Sequence, residues 1–368
     1  MSFLINRRRF METTASALAV SALSSVATRA SAQSSGELRV VVYGGDVGKA
    51  VIEAFVKPFE AQTGIKVTSI TDDLGVGQLE LMVTTNNVTV DVTPSPYGSA
   101  APYFKKGLLE EIDYSIYKKE DLDGIVDFAK EPFGVAAYIY SYNMVYNTEK
   151  FPPNKARPTN WAEFWDVEKF PGVRSLVSGL YGIEGPWEEA LLADGVAPDA
   201  LYPMDIDRVF ASLDKVKPHI RKWWTSGSEI QQLMHDKVVD IAQSYDGRAN
   251  HLIDEGAPIE VNRKQAKLQW EYWVIPKGSP NALNAQKFIE FATRADRQAA
   301  FAQLIPYGPS NLNAYKLIPE KVASKLASNP QYMASGIRTN GKWYAEVGSD
   351  GLTNSQRLIQ RWNEWILQ

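Results

Sequence analysis

The alternation of β-branched runs with amphipathic stretches between Leu38 and Val92 is the feature that most narrows the possible folds. Leu38 to Tyr43 reads as a buried strand, and Gly44-Gly45-Asp46 turns it into a helix with apolar positions Val47, Val51, Ala54, Phe55 and Phe59. Pro58 is expected to kink that helix or end it early, because proline lacks an amide donor and crowds the preceding turn. Ile65 to Ile70 gives a second strand, Gly77 to Thr84 a second helix, and Val88 to Val92 a third strand. Such a β-α-β-α-β run predicts an α/β fold with mainly parallel sheets and right-handed crossovers.

The first 32 residues read as an export signal and not as part of that fold. Arg7-Arg8-Arg9-Phe10 gives a basic, twin-arginine-like region, and a weakly apolar stretch runs from Ala15 to Ala27. Ala30-Ser31-Ala32 has the small-residue pattern of a cleavage site. A twin-arginine signal implies export of an already folded chain, with a Sec route still open. The sequence contains no cysteine, which excludes disulfides, thiolate metal sites, cysteine nucleophiles and a lipidated N-terminus. A periplasmic product that is not lipid-anchored is therefore expected. Net charge is -4, and the signal holds Arg7, Arg8, Arg9 and Arg29 against Glu12, so the remainder is more acidic still. That balance argues against nucleic acid as a partner.

After the signal, roughly 336 residues exceed what one core usually serves, so two lobes are expected. Val135 to Tyr146 is a long aromatic stretch that should carry the chain across near Ile139. Leu268 to Ile275 reads as the return strand, crossing near Gln269, and Pro306 to Asn311 as the last crossing, near Tyr307. These breaks assign 33–138 and 270–306 to lobe 1, and 139–269 and 307–368 to lobe 2. Within them, Arg174 to Val177 is a strand, Ser178 to Gly185 a glycine-bearing loop, and Leu352 to Leu367 a final helix. Ser226 and Glu229 have the spacing of a capping box, so a helix should run from there to about Lys237. Val238 to Ser244 reads as a buried strand. Tyr245-Asp246-Gly247-Arg248 emerges at its carboxyl end, where open α/β sheets place ligands.

Little here suggests catalysis. The three histidines are scattered, and neither G-x-S-x-G nor H-E-x-x-H occurs. Gly44-Gly45-Asp46-Val47-Gly48 is not the dinucleotide fingerprint, so no cofactor is expected. Paired acids leave no short signature, so a secreted hydrolase of a small polar substrate stays open as the alternative. The other reading is a cleft for a small polar solute. Tyr43, Tyr97 and Tyr245 are candidates for aromatic faces or hydroxyls, and Asp46, Glu184, Asp246 and Glu271 for negative charge. Arg248 is suited to clamp a carboxylate in a bidentate way.

Trp223-Trp224-Thr225-Ser226-Gly227, a short helix, then Val239-Asp240-Ile241-Ala242 and Asp246-Gly247-Arg248 resemble the polyamine-type periplasmic substrate-binding proteins of ABC transporters. The likeness runs from about Leu38 to the C-terminus. It implies a type II-like, two-lobed Venus flytrap fold with the ligand cleft between the lobes. It also implies a monomer without metal or cofactor that hands its solute to inner-membrane ABC permease subunits. Residue by residue, the family's aromatic after the first strand is matched by Tyr43, and its Ser-x-Tyr after the third by Ser95 and Tyr97. Tyr245 stands where polyamine binders often have Trp, and Glu271 matches an acid on the return strand that holds an amine. The family's paired acids in the second-lobe loop reduce to Glu184, and a Trp near the return strand's start is replaced by Gln269. Arg248 would repel a bare diamine. The charges therefore suit a nitrogen-bearing ligand that also carries a carboxylate or hydroxyls, such as an amino-acid derivative or an opine-type conjugate. Thiamine is the other cation to consider.

Overall fold

The computed structural model describes residues 36–74 and 77–368, so the export signal lies outside the described residues. The strand Glu37–Val41 pairs in parallel with Lys66–Ile70, from Glu37 opposite Lys66 to Val41 opposite Ile70. Between them the helical stretch continues past Pro58. Its middle, Ile52–Val56, widens into a π-helical turn, and Pro58 falls at the start of the segment Lys57–Thr63. The wider turn accommodates the missing amide donor, so the helix is neither broken nor shortened there.

The third strand is displaced from its expected position. Val92 makes only a single bridge to Val40, and regular pairing begins in Thr93–Pro96, antiparallel to a long strand, with Pro96 opposite Glu271. Asp91 explains the shift. Its buried carboxylate accepts from the Arg39 amide at 2.7 Å, the Arg39 guanidinium at 2.8 Å, Ser279 at 2.7 Å and Asn281 at 3.1 Å. Backbone bonds to the first strand persist there, from the Asp91 amide to the Arg39 carbonyl at 2.8 Å and from the Val41 amide to the Val92 carbonyl at 2.9 Å, and the Asp91 side-chain bonds add to them.

Two long strands, Gly134–Asn147 and Ile259–Val274, dominate the larger sheet. They run antiparallel from Val135 opposite Trp273 to Asn147 opposite Ile259. Gly134–Asn147 also pairs antiparallel with Ile241–Tyr245, which continues in parallel to Arg174–Val177 and from there to Ile220–Trp224. The fold is thus α/β with mixed sheets, parallel in the outer strands and antiparallel at the centre. Gly134–Asn147 serves two cores. Val135, Ala136 and Trp273 pack with Val40, Phe55, Phe59 and Phe288, whereas Met144 and Tyr146 pack with Trp161, Trp187, Phe210 and Trp362.

Residues named at the three expected crossings are neighbours in the structure. Ile139 lies opposite Trp270, and Tyr140 opposite Gln269. Ile139 and Gly308 exchange both backbone hydrogen bonds, at 2.8 and 2.7 Å.

Local signals locate most helices. Ala282–Ala292 buries Ala285, Phe288, Ile289 and Ala292 as their spacing requires. The final helix is Asn354–Trp365, starting after Leu352 because Thr353 and Gln356 form a reciprocal capping box. Ser226 caps Gly227–His235, its hydroxyl accepting from the Glu229 amide at 3.1 Å. Glu229 returns to the Thr225 amide, one residue before the cap. The next strand is Ile241–Tyr245 and not Val238–Ser244, because the chain first reverses through Lys237 at φ 54° and leaves Val238 exposed. A helix, Asp246–Asp254, starts directly after Tyr245, so Tyr245 to Arg248 is a strand end and first helical turn. Among the described residues no helix is long and apolar enough to cross a membrane.

Candidate functional site

Tyr138, Tyr140 and Tyr142 alternate along Gly134–Asn147, and alternation places side chains on one face of a strand. Tyr307 stacks on Tyr138 at 4.9 Å between ring centres, and Tyr245 lies 4.5 Å from Tyr142. Tyr140 bridges them, 6.2 Å from Tyr307 and 6.0 Å from Tyr245. The result is a wall of five phenols at the crossing of the long strands.

Two carboxylates are set into this wall. Glu271 accepts hydrogen bonds from the hydroxyls of Tyr43 at 2.8 Å and Tyr138 at 3.2 Å. Glu184 accepts from Tyr140 at 3.3 Å and Tyr245 at 3.5 Å, and Tyr142 donates to the Tyr245 hydroxyl at 2.8 Å. Burial pushes the Glu271 carboxyl up to about 7; the tyrosine hydroxyls oppose that rise and the Glu184 charge adds to it. Burial also raises Glu184, against its hydroxyl donors and the charge of Lys267. Acids that burial makes costly to ionise, ringed by aromatic faces, are chemically suited to a cation.

Tyr43 reaches Glu271 from an unusual backbone. Its φ is 65°, an outlier for a bulky residue that costs on the order of 1–3 kcal/mol. Gly48 permits it, since a Cβ there would collide with the Tyr43 carbonyl oxygen.

The other expected residues are distributed around this centre. Ser95 is buried beside the Glu271 strand and, with Tyr43, Asp73 and Thr93, lines a cavity of about 210 Å³. Tyr97 stands apart. It starts the helix Tyr97–Lys105, packs against Phe133 and Tyr272, and lines a separate cavity of about 780 Å³ with Lys105, Tyr202 and Lys342. Asp46 is also outside the cluster, with its side chain 87% exposed and paired with Lys49 at 3.1 Å. Asp246 is fully buried behind the wall, accepting from the Ser141 amide at 3.3 Å and the Gly247 amide at 2.9 Å. Burial pushes it up to about 6, and it braces the crossing strand. Arg248 is exposed, donates to Gln231 at 3.1 Å, and its charge acts on Tyr307.

Sequence reasoning did not name Tyr138, Tyr140, Tyr142 and Tyr307 as candidates, although the period-two spacing of the first three was a usable signal. It also missed a buried ion cluster behind Glu184. Lys267, fully buried, pairs with Glu188 at 3.2 Å and Glu189 at 3.1 Å. Among the described residues no group of three or more His, Asp or Glu is placed to hold a metal ion.

The bacterial extracellular solute-binding protein family matches residues 54–334. The chain belongs to that family. This solute-binding protein is 31% identical to the gamma-aminobutyric acid-binding protein of Pseudomonas aeruginosa, over 92% of this chain and 93% of that one. It is 26% identical to the spermidine/putrescine-binding periplasmic protein of Escherichia coli, over 80% and 83%. Among solved structures, it is similar to the PBP AgtB from A. tumefaciens R10 in complex with agropinic acid. There the TM-score is 0.71 and the identity 34%, covering 90% of this chain and 99% of that one. The solute-binding protein is therefore periplasmic and works with the membrane permease subunits of an ABC importer. It is not an enzyme. Family membership, and not the lack of a catalytic motif, sets aside the hydrolase alternative.

Proposed function

We propose that the solute is a small zwitterionic amino acid of the γ-aminobutyrate type, with its ammonium held by Glu271 and Glu184 and its carboxylate met by Arg248. One observation carries this reading. Among the described residues neither Glu271 nor Glu184 forms an ion pair with a basic side chain, and both are supplied with tyrosine hydroxyls. Neither carboxylate has a directly bonded counter-ion, and an ammonium provides one. A bare diamine would use both acids and leave Arg248 unmatched. The similarity to the γ-aminobutyric acid-binding protein agrees with this assignment. A second reading, an opine-type conjugate, is favoured by the cavity beside Tyr43, whose Ser95, Ser99 and Asp73 suit the hydroxyls of a sugar.

The receptor would act as a monomer. Its lobes, 33–138 with 270–306 and 139–269 with 307–368, would close by rotating about the three crossing segments. The test is a melting screen with γ-aminobutyrate, putrescine, agropinic acid and thiamine, followed by calorimetric titration of the best binder. γ-Aminobutyrate is expected to raise the melting temperature, and Arg248→Ala to weaken its binding about tenfold or more. Tight putrescine binding that Arg248→Ala leaves unchanged would overturn the zwitterion assignment.

A further inference from the structure

We propose that Lys267 is a positioning residue for the ligand site. It fixes the Glu184–Gly185 backbone and so determines where the Glu184 carboxylate stands. The inference rests on Glu184 being a ligand-holding acid, as proposed above.

The geometry is a chain of buried contacts. The Lys267 ammonium donates to the Gly185 carbonyl at 2.6 Å and approaches the Glu184 carbonyl at 3.5 Å. It also lies 5.2 Å over the ring of Tyr142, whose hydroxyl belongs to the tyrosine wall. The ammonium is itself held by Glu188 and Glu189. Glu189 accepts from Gln243 at 2.6 Å, and Glu188 accepts from the hydroxyls of Tyr202 and Tyr344. On the other side, Trp187 donates to the Gly182 carbonyl at 2.6 Å. The segment carrying Glu184 is thus tied to the long strand by one cation and to the next helix by one indole. The charged and titratable groups acting on Glu184 include Tyr140, Tyr142, Tyr245, Glu271 and Lys267, and Lys267 is the cation among them. Removing it takes away both the backbone tie and the charge that favours the ionised acid.

Lys267→Met alone strands two buried carboxylates and risks misfolding. The working variant is therefore Lys267→Met with Glu189→Gln. It removes one charge of each sign and leaves Glu188 with its two phenol donors. The first readout needs no ligand. In protein labelled at the glutamate side-chain carboxyl carbons, Glu184→Gln identifies the Glu184 resonance, and its titration midpoint is followed by NMR. The midpoint should rise by about one pH unit in the working variant. The second readout is γ-aminobutyrate titration at pH 7. Affinity should fall about tenfold in the working variant, yet change little when the same two substitutions are added to Glu184→Gln. An unmoved midpoint, or an equal loss of affinity in both backgrounds, would overturn the positioning role. If Glu184→Gln alone leaves binding intact, the ligand reading falls instead, and the midpoint still decides what Lys267 does.

Discussion

Glu271 receives two phenol hydrogen bonds, from Tyr43 and Tyr138, yet burial dominates and lifts its carboxyl to about 7. Binding an ammonium requires the ionised form, so below that value the incoming ligand must expel a proton. Affinity for γ-aminobutyrate is expected to rise about tenfold per pH unit as pH 7 is approached from below, then to level off. Titration calorimetry in buffers of different ionisation enthalpy checks this directly, since proton release changes the observed heat. The sign for stability is opposite. The folded value lies above the ordinary 4.5, so between the two the native state holds more protons than the unfolded chain, and stability falls as pH rises. Glu271→Gln should flatten that slope, raise the melting temperature at pH 8 and abolish tight binding. Tyr43, Glu271 and Glu184 were legible in the sequence because they lie near strand ends or in a glycine loop between elements. Lys267, Glu188 and Glu189 were not. Their bonds span 79 and 78 residues, and a charged residue within an apolar stretch gives no local sign of its distant partner.

Among the elements, the segment Gly179–Glu184 shows how closely the site depends on packing. A Cβ at Gly179 would collide with the indoles of Trp187 and Trp362, and Gly182 adopts φ 59° beneath the final helix. Gly179→Ala should therefore cost about 1–3 kcal/mol in chemical denaturation and weaken ligand binding by displacing Glu184. Ser226→Ala, which removes the cap of Gly227–His235, should cost about 1 kcal/mol in the same measurement. Helices of this kind were readable because caps and period-3.6 burial are local. Strand limits were less so. Asp91 diverts Val88 to Val92 from regular pairing, and the left-handed Lys237 delays the strand that ends at Tyr245. Neither effect leaves a mark in hydrophobic alternation. Tyr138, Tyr140 and Tyr142 fell between the two cases, since their alternation was visible while the face it selects depended on where the strand crosses.

Across the whole molecule, closure on a ligand should appear as a smaller radius of gyration in solution scattering when γ-aminobutyrate is added, and Arg248→Ala should reduce the change at a fixed ligand concentration. The strands Gly134–Asn147 and Ile259–Val274 have a further consequence. Gly134–Asn147 contributes side chains to both cores and pairs along its length with Ile259–Val274, so the two cores are expected to melt together. Thermal unfolding should be a single transition in which the calorimetric and van 't Hoff enthalpies agree. The side chains of one core span Leu38 to Phe301 and those of the other Met144 to Trp365, so no single cut is expected to yield half a receptor that folds. Stabilisation gained at the crossing is then shared by the entire cooperative unit. A solute bound there should slow amide hydrogen exchange around Phe55 and Phe288 as much as around Trp187 and Trp362, although none of these four belongs to the wall of phenols.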